Sequence, residues 1–462
     1  MREVIRWLFP TDHRRAAGVF LACSLAMLVV GSVYAARMRL AAHAPNTTQD
    51  DDLFQSLHSL ILVHFAAVPL LLLVAGLYSI PRLTGRDRVV LPRLLPVATL
   101  AHVVACAGMC VATGTRRLGV YRSPEDLLSF PFAMVQVSLV LGSINLLGTV
   151  LFRKHRRSEG HRSPVLVTAV GLASVLVCAT WVLSSYSWLG AALGLFNSES
   201  RYLNWNPWGE FGRTFAHVAG LMASGVFLQI LLGEPRADDT RLPRLAHEFA
   251  ACALWLVGSG YVVGLVHAEL QRRWENDDLQ AMVEAPGLLV LTTAFALAFV
   301  VAARRGRFRQ PVELILTVGG LLFVLMGQAA GLLSETNTVQ DLVREYTTSP
   351  WSNYGFRPVA AHARAAAIAF AVIATLHHRL IMAAAPSART MLLVGALLLL
   401  IGVSVGLASQ VAGALEPRSP WMRPRDATEP TEVALTVSAI LAGLGIVSVV
   451  IGLVRQERAR KM

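Results

Sequence analysis

Four histidines and one arginine in apolar segments are the residues with the clearest capacity for chemistry in this chain. His58, His217 and His362 lie near the start of their apolar segments. His267 lies near the end of another, and Arg364 follows His362 by two residues in AAHARAAAIAF. An ionisable group inside a membrane span is costly, so it usually faces a cavity, a partner or a cofactor.

The composition is that of an integral membrane protein. The chain has 462 residues, of which 55% are hydrophobic and 15% charged, and its mean hydropathy is +0.54. The basic residues sit in short loops between apolar runs, so the net charge of +12 indicates membrane orientation and not nucleic-acid binding. The Arg-rich start followed by a full-length apolar run predicts that no cleavable signal is present.

The five cysteines also fall within apolar runs. An exposed disulfide framework is therefore not expected, and no CxxCH motif is present for covalent haem attachment. Cys106 and Cys110 share a helix face, and we expect them to be packing residues.

Apolar runs of about 20 residues predict membrane-spanning helices, since only a helix or a closed barrel satisfies its backbone in lipid. The sequence predicts an all-α, polytopic membrane protein with a single membrane domain over residues 1–462. The twelve expected spans are 15–36, 57–80, 93–113, 130–152, 164–190, 211–233, 245–268, 286–303, 311–333, 357–385, 390–413 and 432–454. Prolines are expected at helix starts at Pro131, Pro164, Pro286 and Pro311.

Loop charge predicts the orientation and the depth of the histidines. The N-terminus, the C-terminus and the loops after even-numbered spans carry the excess of Lys and Arg. Both termini are therefore expected in the cytoplasm, and the protein in the cytoplasmic (inner) membrane. With that orientation, His58, His217, His267 and His362 all lie in the outer third of the membrane.

Convergence of four imidazoles at one depth allows two interpretations. Each histidine is either a hydrogen-bonded core residue or a ligand to a metal. Neutral imidazole is a common axial ligand of haem iron and also suits copper. A haem held by two histidines from different helices is a one-electron carrier.

Several segments resemble subunit I of the haem–copper oxidase superfamily. The second span and its loop read FQSLHSLILVHFAAVPLLLLVAGLYSIPRLTGRDRVVLPRLLP, and the fourth span reads LGSINLLGTVLF. Later segments, VGSGYVVGLVHAEL, QAMVEAPG and AAHAR, are closer to nitric oxide reductase and related branches. The twelve spans and inward termini agree with that family.

The resemblance implies roles for individual residues. His58 matches the low-spin haem ligand of helix two, and His362 matches the first histidine of the HxH motif in helix ten, the high-spin haem ligand. His217 matches the copper ligand of helix six. The segment EPRSPWMRPR lies where the family places arginines that bind haem propionates, and a solvated loop is the alternative for Arg418, Arg423 and Arg425.

The departures from the family pattern concern ligands. Arg364 replaces the second histidine of HxH, and arginine stays protonated and has no lone pair for iron. It is expected either to pair with a haem propionate or to snorkel to the outer interface. The paired histidines of helix seven are absent: one register places Tyr261 and Val262 there, another His267 and Ala268. Copper held by His217, with or without His267, would be weakly bound.

Three functional hypotheses follow. The first is a divergent haem–copper oxidase subunit I that binds haem b, in membrane lipid and with partner subunits of a respiratory complex. Within it, the chain either reduces dioxygen or nitric oxide, as a cytochrome c oxidase or nitric oxide reductase does, or has lost the copper centre and acts in electron transfer, sensing or structure. Ligand counting favours the second version, and no catalytic residue is assigned. The other hypotheses are a twelve-span secondary transporter and a non-catalytic membrane scaffold.

Overall fold

The fold is built from helices that coincide with the apolar runs. The computed structural model describes residues 10–42, 65–66, 68–115, 124–152, 164–192, 207–234, 239–271, 278–306, 311–335, 356–380, 386–415 and 429–461. Within those ranges there are twelve helices and no strand. They are α1 (His13–Ala42), α2 (Pro69–Leu83, with a π-helix over Pro69–Ala75), α3 (Leu94–Thr115), α4 (Pro124–Leu151), α5 (Val165–Ala192), α6 (Pro207–Leu232), α7 (Arg241–Gln271), α8 (Asp278–Arg304), α9 (Pro311–Glu335), α10 (Phe356–Leu380), α11 (Pro386–Leu415) and α12 (Glu429–Lys461).

The polytopic membrane fold predicted from the sequence is confirmed. Eight of the helices have stretches long and apolar enough to cross a membrane. In α2, α6, α10 and α12, the apolar stretches within the described part are shorter. Three helices, α2, α6 and α8, are followed by glycines with positive φ, where other residues would be strained: Gly85, Gly233 and Gly306.

Two of the proline predictions need correction. Pro311 begins α9, and Pro164 directly precedes α5, as predicted. Pro131 lies inside α4 and Pro286 inside α8, because both helices begin well before the apolar window. Pro131 is accommodated by α3, where a Cβ on Gly108 would lie 3.0 Å from the proline Cγ. Pro131 and Pro286 therefore mark the start of an apolar run and not the start of the helix that contains it.

The chain folds as two compact units, Met1–His161 with Leu166–Met222 and Arg162–Val165 with Ala223–Met462. The single membrane domain stays a prediction. In the first unit, α1 packs on α2 and α3, α3 packs on α4, and α2 packs on α4. His102 of α3 is fully buried, with its ring edge-on to Phe20 of α1 at 5.2 Å between centroids.

Helix α4 holds the loop between α2 and α3 by side-chain hydrogen bonds. The Asn145 Nδ2 donates to the Leu91 carbonyl at 2.8 Å, and its Oδ1 accepts from the Leu91 N–H at 3.2 Å. One turn on, the Thr149 Oγ1 accepts from the Val90 N–H at 3.0 Å. These bonds join two segments that carry the family resemblance, the VVLPR loop and the INLLGT run of the fourth span.

The second unit contains three closely packed helix pairs: α7 with α8, α9 with α10, and α11 with α12. Glycines make the last pair possible, because a Cβ on Gly395 would lie 2.8 Å from the Gly445 carbonyl oxygen. A Cβ on Gly402 would lie 2.6 Å from the Ala442 nitrogen. Small residues of this kind let membrane helices approach backbone to backbone. Helix α10 also contacts α11 and α12, and α9 contacts α11 as well.

Candidate cofactor site

The groove that positions the site is formed by two glycines of α9. Gly327 and Gly331 belong to the run GQAAG, the small-residue spacing at which two membrane helices pack closely. A Cβ on Gly327 would lie 3.2 Å from the backbone nitrogen of Arg364 and 3.6 Å from the carbonyl oxygen of Ala360. The backbones of α9 and α10 are therefore in van der Waals contact at this level.

Arg364 lies along that groove. Its Cγ would be 2.8 Å from a Cβ on Gly327, and its Nη2 lies against Gly331. Among the described residues, the buried Nε and Nη2 atoms have no hydrogen-bond partner. A guanidinium that is partly desolvated in this way is costly unless an acceptor meets it. The arrangement calls for an anionic or carbonyl group beside α10.

His362 reaches in the other direction, towards α11. Its Nδ1 atom lies 3.1 Å from the Nε2 atom of Gln410, 48 positions further along the chain. His362 is an exposed residue, whereas the Oε1 atom of Gln410 is buried and has no hydrogen-bond partner in the described part. The ring is thus held at one nitrogen by a neutral side chain of a neighbouring helix.

The two side chains point to opposite sides of α10. Two positions along an α-helix correspond to a rotation of about 200°, since each residue turns the helix by about 100°. Arg364 accordingly contacts α9 while His362 contacts α11. One helix therefore presents a cation on one side and an imidazole on the other.

The remaining predicted site residues are placed as follows. His217 is buried in α6, at 9% exposure, and belongs to the first of the two units. His267 lies in the last part of α7, and its side chain is outside the described residues. His58 and the loop arginines Arg418, Arg423 and Arg425 also lie outside the described residues. The convergence of the four imidazoles stays a prediction.

Tyr261 of α7, which one of the two predicted registers places at the family's paired histidines, is buried. With Gly287 of α8 and Gln328 of α9 it lines a crevice of about 10 Å³, room for a single water. In the part of the chain that the structure describes, no group of three or more His, Cys, Asp or Glu side chains is arranged to hold a metal ion.

Comparison with known families agrees with this architecture. A family model described as Cytochrome C and Quinol oxidase polypeptide I matches residues 15–347. The match spans well over half of the chain. The chain belongs to this family, the subunit I family of the haem–copper oxidases. The matched range ends before α10 begins, so the assignment of His362 and Arg364 depends on the resemblance of AAHAR and on their geometry.

Two similar proteins are named probable cytochrome c oxidase subunit 1-alpha. The protein from Streptomyces avermitilis is 26% identical over 220 residues, which is 43% of this chain and 37% of the relative. The one from Streptomyces coelicolor has the same identity and coverage. The chain thus matches little more than a third of the length of these curated relatives.

Haem, which this family binds, fits the residues on one side of α10. On the α11 side, His362 offers an exposed imidazole whose Nδ1 meets the side-chain amide of Gln410. On the α9 side, the contact between the backbones leaves no room for a porphyrin between α9 and α10 at Arg364. That face fits a charged or polar group at the edge of a ligand and not an axial ligand site.

Two of the features described above were not found by sequence reasoning. Gln410 is a neutral side chain in a long apolar run, and nothing local connects it to His362. Gly327 and Gly331 could have been identified from their GxxxG spacing in an apolar helix, which predicts close helix packing. The motif does not identify the side chain that packs against the two glycines.

Proposed function

We propose that this chain is a haem b-binding electron-transfer subunit of a respiratory complex, with both termini on the cytoplasmic side of the cytoplasmic membrane. The observation that carries the proposal is the imidazole of His362, which is exposed on α10 and held at Nδ1 by Gln410. Its position matches the first histidine of the HxH motif of the family. Bound haem supplies a one-electron redox centre.

The chain's own residues have distinct tasks in this proposal. His58 and His362 each supply one axial nitrogen, His58 at the position of the family's low-spin haem ligand and His362 at that of its high-spin haem ligand. Arg364 supplies the buried Nε and Nη2 donors to a haem propionate, which provides the acceptor that these atoms need. Arg418, Arg423 and Arg425 add positive charge for the propionates from the loop between α11 and α12. The apolar faces of the helices exclude water from the site.

The loss of metal-ligand positions in this sequence supports electron transfer without reduction of dioxygen or nitric oxide. The family's HxH motif and its paired histidines of helix seven are incomplete in this sequence, with Arg364 at one position and Tyr261 and Val262, or His267 and Ala268, at the others. Copper would have His217, with His267 at best, as nitrogen ligands. Such a site binds copper weakly, since imidazole copper centres need several ligands in a fixed geometry.

The family assignment favours this proposal over a secondary transporter. The excess of Lys and Arg in alternate loops supports the inward orientation of both termini. Membrane lipid surrounds the helices, and partner subunits of a respiratory complex deliver or accept the electron. Nucleic acid is not a partner in this proposal.

The test is the optical spectrum and metal content of the full chain purified in mild detergent after expression in a host that makes haem b. A reduced-minus-oxidised spectrum with haem b bands, together with copper well below one atom per chain, is the expected result. A chain that copurifies with its partners and shows no haem band overturns the proposal. Stoichiometric copper would instead favour dioxygen or nitric oxide reduction.

A further inference from the structure

We infer that Gln410 of α11 is a positioning residue for His362, fixing which imidazole nitrogen carries the proton and thereby which one binds metal. The inference rests on the proposed function, because it requires His362 to be an axial ligand. It adds a residue outside the histidine and arginine motifs, on a helix to which no role was given.

The contact joins two helices. The Nδ1 atom of His362 and the side-chain amide of Gln410 meet at 3.1 Å, and α10 and α11 are packed against each other. Gln410 lies in a run of apolar and small residues, and its Oε1 atom is buried and has no partner within the described part of the chain. A carboxamide in a membrane span is costly when only one of its two polar groups, the NH2 or the carbonyl oxygen, makes a hydrogen bond.

Proton placement connects this contact to ligation. When the amide nitrogen of Gln410 donates to Nδ1, the neutral ring must carry its proton on Nε2, so Nε2 has no lone pair for a metal. A half-turn of the carboxamide brings Oε1 to the same contact, where it accepts a proton from Nδ1–H. The lone pair is then on Nε2.

The second arrangement is the one that metal binding selects. Histidines that bind metals generally donate their other N–H to an oxygen acceptor, which orients the ring and raises its basicity. Gln410 supplies that oxygen, and the half-turn also engages the atom that is otherwise buried without a partner among the described residues. The amide therefore favours one tautomer with haem bound and the other without it.

The experiment compares three forms of the full chain in detergent: wild type, Gln410→Met and Gln410→Glu. Methionine keeps the length and removes both the acceptor and the donor, whereas glutamate keeps an oxygen acceptor. Gln136→Leu, at a buried position of α4, removes a membrane glutamine elsewhere and is the control. The readouts are the haem midpoint potential, from a spectroscopic redox titration, and the haem dissociation constant.

Gln410→Met is expected to raise the midpoint potential, since a less basic imidazole stabilises oxidised iron less, and to weaken haem binding by about 10- to 100-fold. Gln410→Glu is expected to have a midpoint potential at or below that of wild type, and Gln136→Leu to match it. Wild-type values in Gln410→Met, or equal shifts in both Gln410 variants, overturn the inference. If His362→Ala retains all of its haem, His362 is not a haem ligand and the proposed function fails at this residue. That result is distinct from failure of the present inference, in which His362→Ala loses haem but the Gln410 variants behave like wild type.

Discussion

Arg364 of α10 lies against the backbone of Gly331 of α9, with its Nη2 atom in the space that a side chain at position 331 would fill. A glycine on one helix thereby accommodates a cation on the next. Charged side chains in membrane spans are generally paired or face a cavity. The buried donors of Arg364 without a partner in the described residues therefore point to an acceptor that comes with a ligand.

Replacing Arg364 by Gln is predicted to have opposite effects with and without haem. In the haem-free protein, removing an uncompensated buried charge leaves the unfolding temperature unchanged or raises it. In the haem-bound protein, the same substitution removes a charge-assisted hydrogen bond to a propionate and speeds haem dissociation. The measurements are thermal unfolding in detergent and the rate of haem transfer to an acceptor protein. A snorkelling arginine with no role at the haem would leave that rate unchanged.

Close packing of α9 on α10 predicts that Gly327→Ala is destabilising. The added Cβ would lie 2.8 Å from Arg364 Cγ and 3.2 Å from its backbone nitrogen, which a rotamer change cannot move. Overpacking of this kind costs about 1–3 kcal/mol. Thermal unfolding in detergent measures the loss.

Gly443→Ala is the matched control for that substitution. A Cβ on Gly443 of α12 meets nothing within 4 Å among the described residues, and alanine has the higher helix propensity. The control is expected to match wild type or to unfold slightly later. Equal destabilisation by both substitutions would mean that the effect comes from the helix itself and not from its contact with α10.

Haem occupancy is predicted to depend on particular histidines. His362→Ala and His58→Ala should each lower the haem bound per folded chain, because each removes an axial nitrogen. His377→Ala, on the buried opposite end of α10, should not. Haem is quantified from the pyridine haemochromogen spectrum and normalised to monodisperse protein. Similar occupancy in all three variants would contradict the assigned site.

An ion pair between Arg305, just after α8, and the α6–α7 loop predicts that substitutions of two neighbouring arginines differ in their effect on stability. The Arg305 Nη1 donates to the Leu232 carbonyl at the end of α6 at 2.8 Å, and its Nη2 pairs with Asp239. The side chain of Asp239 is only 6% exposed, so Arg305→Ala removes the cation paired with a buried carboxylate, at a cost of up to about 3–5 kcal/mol. Loss of unfolding temperature in detergent is the readout.

Arg304→Ala, one residue earlier and exposed, is the control and should unfold like wild type. Adding Asp239→Asn to Arg305→Ala should recover part of the loss, since the carboxylate charge that Arg305 paired with is then gone. Absence of any recovery would indicate that the bond to Leu232 accounts for the whole effect.

The amino-acid sequence by itself determined the class of the protein and the position of its helices. The length of an apolar run is a local property, and a helix in lipid satisfies its backbone within the same segment, so each of the twelve runs corresponds to a helix in the residues that the structure describes. The helix starts predicted at Pro131 and Pro286 were wrong, because α4 and α8 begin before their apolar runs do. The segments resembling subunit I also led to the right family.

Only the tertiary structure decided what each polar side chain meets. The sequence places His362 and Arg364 two residues apart, but the packing of α10 against both α9 and α11 brings His362 to Gln410 and Arg364 to Gly327 and Gly331. Such contacts join residues far apart in the chain and depend on the rotation of each helix about its axis. Hydrophobic runs that are apolar on every side leave this rotation undetermined, because lipid and neighbouring helices accept the same side chains.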